Sequence, residues 1–134
     1  MEKIVISASQ KTPIIHLDNG IIEIKGRSTP EDIDKVYIPV FEWIDKYLKA
    51  PDKKTIVNLH FEYFNSSTTK VLMRLINKLT FLCNSDEYEL IVNWLYFDED
   101  ILEHGQDFEE LSGVNFTFIE EDYSNIDFNV ENYS

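Results

Sequence analysis

The chain has 134 residues, 43% of them hydrophobic, and a formal net charge of −13 from 25 acids against 12 bases. That length holds one domain with its own core, and the apolar content excludes a chain disordered throughout. The charge disfavours a basic face for nucleic acid or an anionic membrane surface, and fits a protein partner better.

In chain order, "EKIVIS" and "PIIHLD" read as short strands separated by a Thr-Pro break. Asp18, Asn19 and Gly20 form a hairpin turn signal, because the central positions of an Asn-Gly turn favour positive φ. "IIEIKG" returns as the partner strand, with Ile22 and Ile24 on one face and Ile21 and Glu23 on the other. Thr29 is the expected N-cap of the next element, with Pro30 at its first position and Glu31 and Asp32 in its first turn. Pro39 predicts a break near Ile38, hence a short helix followed by a second one over 39–50. Val40, Trp43, Ile44, Tyr47 and Leu48 recur at helical spacing and are expected inside.

"KTIVNLHFEYF" is the clearest strand. Alternation places Val57, Leu59, Phe61 and Tyr63 on one face, and Ile56, Asn58, His60 and Glu62 on the other. A helix follows with Val71, Leu72, Leu75, Ile76, Leu79 and Leu82 as its apolar stripe. "YELIVNWLYF" is a strand, and "DEDILEHGQDFEELSG" a helix capped by Asp98 and stopped by Gly113, with Gly105 weakening its middle. "VNFTFIEE" is the last strand. The expected fold is therefore α/β: one domain over 1–119, with an N-terminal β-hairpin and a mixed β-sheet carrying packed helices. Residues 120–134 hold five acids and no Lys or Arg, and read either as a disordered tail or as a docking tail. Without those five acids the remainder still carries −8.

Catalytic signatures are missing from the sequence. Glycines at 20, 26, 105 and 113 do not make a phosphate loop, and neither H-E-x-x-H nor G-x-S-x-G occurs. His16, His60 and His104 lie far apart, and His60 reads as a surface or partly satisfied histidine. The single cysteine, Cys83, excludes a disulfide framework and a Cys-rich zinc site, and reads as a small buried thiol. Asp98, Asp100 and Glu103 lack the spacing of a calcium hand. No metal or cofactor is expected. The first ten residues lack a basic region followed by an apolar block, and no apolar run reaches the roughly 20 residues of a membrane span, so a cytoplasmic protein is expected.

"NSSTTK" at 65–70 sets Ser66, Ser67, Thr68 and Thr69 between a strand and a helix. One reading is ordinary capping by Asn65 or Ser66. That accounts for one or two polar residues. The other is a modification site: a phosphate there would meet free N–H groups and the positive helix end, adding about −1.5 to −2 charges.

"KTPIIHLD", "IKGRSTPED", "FEYFNSSTTKVL" and "VNWLYFDEDILEHGQDF", in that order and spacing, resemble the SiaC family of bacterial regulatory phosphoproteins. The resemblance implies a single STAS-like domain and no enzymatic activity. It implies Ser66 as phosphoacceptor, directly after Asn65, with Ser67 and Thr68 as alternatives; Thr is common at this place in the family. It also implies a partner protein kinase, a PP2C-type phosphatase and a downstream target, which in the type system is a diguanylate cyclase. Asn65, Ser66 and Ser67, flanked by Arg27, Ser28 and Glu31, are the expected partner-binding residues. A structural role for the flank is equally open, since Thr29 and Pro30 are good helix starters and Arg27 can pair with an acid. Tyr63, Phe64, Trp94 and Tyr96 are expected in the core. Two other readings predict different things. A small enzyme around His60 and Glu62 requires a pocket lined by both, and a purely structural domain makes the hydroxyls only a cap.

Overall fold

The computed structural model describes residues 1–133. Six strands, β1 (Ile4–Ile6), β2 (Ile14–Asp18), β3 (Ile21–Ser28), β4 (Lys54–Phe64), β5 (Glu89–Tyr96) and β6 (Phe116–Glu120), form one sheet in sequence order. The first two pairings are antiparallel and the remaining three parallel. Helices α1 (Ile33–Tyr47), α2 (Ser66–Leu79) and α3 (Glu99–Ser112) connect the parallel strands. Right-handed crossovers that all step the same way across a sheet put their helices on one face. The fold is thus the expected mixed α/β sheet with an N-terminal hairpin.

The core lies between that face and the helices. Leu17, Ile22, Ile24, Val57, Leu59, Phe61, Val92 and Trp94 point into it from the strands. Tyr37, Val40, Trp43, Ile44, Leu72, Leu75, Ile76 and Phe108 meet them from the helices. Each fully buried aliphatic or Phe side chain contributes about 1.5–3 kcal/mol.

Several local expectations change. The segment around Pro39 is one continuous helix, not two. Pro39 and Lys35 both lie on the exposed side, so the carbonyl that loses its helical partner faces water, while the buried face holds the helix together. Its cap is Asp32, whose side chain accepts the Lys35 N–H, rather than Thr29; the Thr29 N–H is held by the Lys11 carbonyl. In the hairpin turn only Gly20 takes positive φ, while Asn19 stays negative and binds the N-terminal amine. Cys83 is exposed, because α2 continues as a 3-10 turn over Thr80–Cys83 that buries Leu82 and turns the thiol out.

The largest change sits in β4. Gly26 pairs with Phe61, but Arg27 pairs with Tyr63, so Glu62 is an extra residue in the strand. Such a bulge reverses the alternation beyond it. Tyr63, expected inside, is 50% exposed, and Phe64 is buried in its place against Phe61, Trp94 and Phe108.

Candidate functional site

The α2 start lies where β4 ends. Asn65 has extended backbone and is the cap; its Oδ1 accepts the Thr68 N–H at 3.0 Å. The four hydroxyls then have four different environments. Thr68 is fully buried: its Oγ1 donates toward the Ser28 carbonyl and lies 2.9 Å from both Ser28 Oγ and Asn65 Oδ1. Ser67 donates to Asn65 Oδ1, and Thr69 donates to the Asn65 carbonyl. Ser66 is exposed, and its hydroxyl makes no hydrogen bond among the described residues.

The backbone N–H groups of Ser66 and Ser67 precede the first one the cap satisfies, and the first turn of α2 has no acidic residue. α3 differs, since Glu99 and Asp100 occupy its first turn. The positive end of α2 is therefore left uncompensated.

Ser28 was expected at the surface and is fully buried. Its hydroxyl sits 2.7 Å from the Tyr37 hydroxyl and 2.9 Å from Thr68, joining β3, α1 and α2 in one hydroxyl chain. Its carbonyl also accepts the Asn65 N–H at 3.1 Å. Ser28 thus supports the site from beneath, and Thr68 is inaccessible without opening it. Burial pushes the Tyr37 hydroxyl far above its ordinary pKa, so it remains a proton donor. Thr68→Val keeps the shape and deletes the hydroxyl. The expected loss is about 1–3 kcal/mol, read as a lower urea midpoint at unchanged slope.

Arg27 and Glu31 are exposed neighbours of this end of the sheet. The Arg27 guanidinium lies 5.2 Å from the Tyr63 ring centroid and pairs with no acid among the described residues. Glu31 pairs with Lys11 at 3.0 Å, a solvent-screened contact. The bulge turns Tyr63 to the surface, where it meets Arg27 on the neighbouring strand just ahead of Asn65 and Ser66.

His60 is not among the residues lining the cleft beside Glu62. Glu62 lines a cleft of about 240 Å³ with Tyr63, Asp98, Asp100, Glu103, His104 and Asp107. His60 lies on the sheet face away from the helices and is 3% exposed, with its Nε2–H donated to the Glu121 carbonyl. The enzyme reading loses the shared cavity it needs.

The face bearing His60 carries a polar ladder that strand alternation hints at and register alone assembles. His16, Glu23, Asn58 and Asn93 are cross-strand neighbours. His16 Nδ1–H donates to Glu23 at 2.8 Å, Asn58 to Glu23 at 2.9 Å, and Asn93 to Asn58 at 2.8 Å. Lys25 reaches the same carboxylate at 3.0 Å. Burial alone raises the Glu23 pKa, but these donors hold it below its ordinary value. Burial lowers the His60 pKa, with the Lys25 charge adding to it against the carbonyl contact.

Both shifts have the same consequence. A histidine held neutral stabilises the fold above its ordinary value of 6.5, and that contribution is lost as pH falls through the lowered one. Glu23 contributes above 4.5 and loses its contribution as pH falls through its own lowered value. The urea midpoint is expected to decline in two steps on acidification, and His60→Gln to flatten the first. A midpoint independent of pH below 6.5 contradicts the assignment of His60.

Among the described residues no group of His, Cys, Asp or Glu is placed to hold a metal ion, and no helix is long and apolar enough to cross a membrane.

Residues 6–121 match the profile described as "SiaC family regulatory phosphoprotein". An uncharacterized protein of Pseudomonas aeruginosa (strain UCBPP-PA14) is 27% identical over 81 residues, covering 59% of this chain and 64% of that protein, so the match spans under two thirds of the relative. Among solved structures, apo-SiaC from Pseudomonas aeruginosa superposes with a TM-score of 0.78 at 23% identity, covering 91% of this chain and all of the other. A chain in the structure of the diguanylate cyclase SiaD in complex with its activator SiaC, from the same organism, gives 0.81 at 23% identity over 88% of this chain and 99% of the other. At these identities the structures establish a shared fold.

Proposed function

Since the chain belongs to the SiaC family of regulatory phosphoproteins, we propose that it is a non-enzymatic cytoplasmic signalling protein whose docking to a partner is switched by reversible phosphorylation of Ser66. The observation behind this reading is the hydroxyl inventory at the α2 start. Thr68 is buried, Ser67 and Thr69 are spent on Asn65, and Ser66 is exposed with no partner among the described residues. A phosphate on Ser66 lies next to open backbone N–H groups at a helix end with no acid in its first turn. It then adds a dianion to the surface near Tyr63 and its Arg27 neighbour without disturbing the buried Ser28–Tyr37–Thr68 chain.

A protein kinase and a PP2C-type phosphatase set the charge in this reading, and the unmodified form engages the target. SiaC of Pseudomonas aeruginosa is the activator of a diguanylate cyclase, so a diguanylate cyclase is the first target to test. The body of the domain is acidic, which suits a partner with a basic patch rather than nucleic acid or an anionic membrane.

Incubation of the full chain with a candidate partner protein kinase and ATP, followed by phosphosite mapping, tests the acceptor. Label is expected at Ser66 and is expected to vanish in Ser66→Ala. Label confined to Ser67 or Thr68, or undiminished in Ser66→Ala, removes Ser66 from the role.

A further inference from the structure

Beyond β6 the chain turns back across the sheet face that carries the polar ladder. It touches that face at three aromatic points. The Tyr123 ring lies 5.7 Å from His60 and 5.8 Å from Phe97. The Phe128 ring fills the space over Gly26, where an added Cβ would come within 2.9 Å of it. The Tyr133 ring lies 5.3 Å from His16, with Lys25 Nζ 5.4 Å from its centroid.

The segment is also tied to itself. Tyr133 donates its hydroxyl to the Asp127 carbonyl at 2.6 Å, and Asn132 donates to the Asp127 carboxylate at 2.7 Å. Little of it is buried: Phe128 is 49% exposed. Point contacts with small buried area give a segment that opens at low free-energy cost.

Among the described residues a side-chain hydrogen bond also reaches outside the sheet face. Tyr123 donates its hydroxyl to Asp98 Oδ2 at 2.9 Å, while Asp98 Oδ1 accepts the Ile101 N–H at 2.9 Å as the cap of α3. A single carboxylate therefore holds the returning segment with one oxygen and the first turn of α3 with the other. Asp98 also lines the cleft beside Tyr63 and His104.

We propose that residues 121–133 are a latch that closes as one unit, clamped to Asp98 at one end and to His16 and Lys25 at the other, so that release of the segment loosens the α3 side of the cleft. Coupling between two such places is reciprocal, so any partner that draws Asp98 into the cleft weakens the latch by the same factor. This holds whichever hydroxyl at the α2 start is modified.

Amide hydrogen exchange on the full chain tests the latch. Tyr123→Phe keeps the ring on His60 and removes the bond to Asp98. It is expected to speed exchange roughly two- to tenfold, the range for one net hydrogen bond, at Ile101 and Leu102 in α3 and at Asn132 at the far end. Acceleration limited to the neighbours of residue 123, or none, overturns the link. Tyr133→Ala works from the opposite end. It is expected to speed exchange at Asn125, Ile126 and Ile101; an effect confined to 127–133 shows independent pieces and overturns the single-unit latch.

Discussion

Ser66→Asp is expected to weaken docking of the signalling target by about tenfold or more, a change of about 1.4 kcal/mol, while Ser66→Ala leaves it within about twofold. The hydroxyl of Ser66 is exposed and bonds to nothing else in the described chain, so its deletion removes no internal contact. A carboxylate at the same place faces the uncompensated start of α2 and is expected to stabilise the helix by about 0.3–1 kcal/mol. Folding and binding therefore move in opposite directions, and a lost interaction cannot be ascribed to a damaged domain. Calorimetric titration of each variant against the target, alongside thermal melts, separates the two. Equal affinity of wild type and Ser66→Asp, with the fold intact, rejects a switch that acts through charge. Thr68→Asp is the contrast. It buries a charge in the Ser28–Tyr37 chain and is expected to lower the melting temperature itself.

Gly105→Ala is expected to destabilise the domain by about 1–3 kcal/mol, the usual cost of overpacking. Helix propensity predicts the opposite sign: Ala at an exposed mid-helix position gains about 1 kcal/mol over Gly. Packing decides, because a Cβ built on Gly105 falls 2.5 Å from two atoms of the Trp94 ring and 2.7 Å from a third. The ring has nowhere to go. Trp94 is fully buried, its Nε1–H donates to the Ile101 carbonyl of α3 at 2.8 Å, and Phe61, Phe64, Phe108 and Phe116 surround it. Relief requires α3 to lift off the sheet, which exposes Phe108 and disturbs the Asp98 cap. Urea denaturation reads the change as a lower midpoint at unchanged slope. A midpoint equal to or above wild type means that the ring yields and that α3 is not seated as described.

The sheet and helices were legible because each has a long, regular apolar period. β4 shows alternation over most of its length, and α2 repeats Val71, Leu72, Leu75, Ile76 and Leu79 along one face. The caps Asn65 and Asp98 were legible for a similar reason, being short polar side chains directly ahead of such a period. Pro39 misled, because its helix-breaking effect depends on where the orphaned carbonyl faces, and that direction is a property of the packed helix. Tyr63 misled because a one-residue bulge turns it to the other face without leaving a mark in local composition, while Phe64 is buried as expected. Gly105 was legible as a weak point in α3, but its reason is the indole pressed against it from β5.

By itself the sequence determined the α/β order of elements, the capped hydroxyl cluster at the α2 start, and the acidic charge that points to a protein partner. These follow from interactions between residues a few positions apart, which the order of residues states directly. Only the tertiary structure decided which hydroxyl stays free. Ser28 and Thr68 lie 40 positions apart and bury each other through a bond across two elements. The same long-range pairing aligned His16, Glu23, Asn58 and Asn93 across four strands and laid residues 121–133 over them. Register and burial are set by the whole fold at once, so no window along the chain contains them.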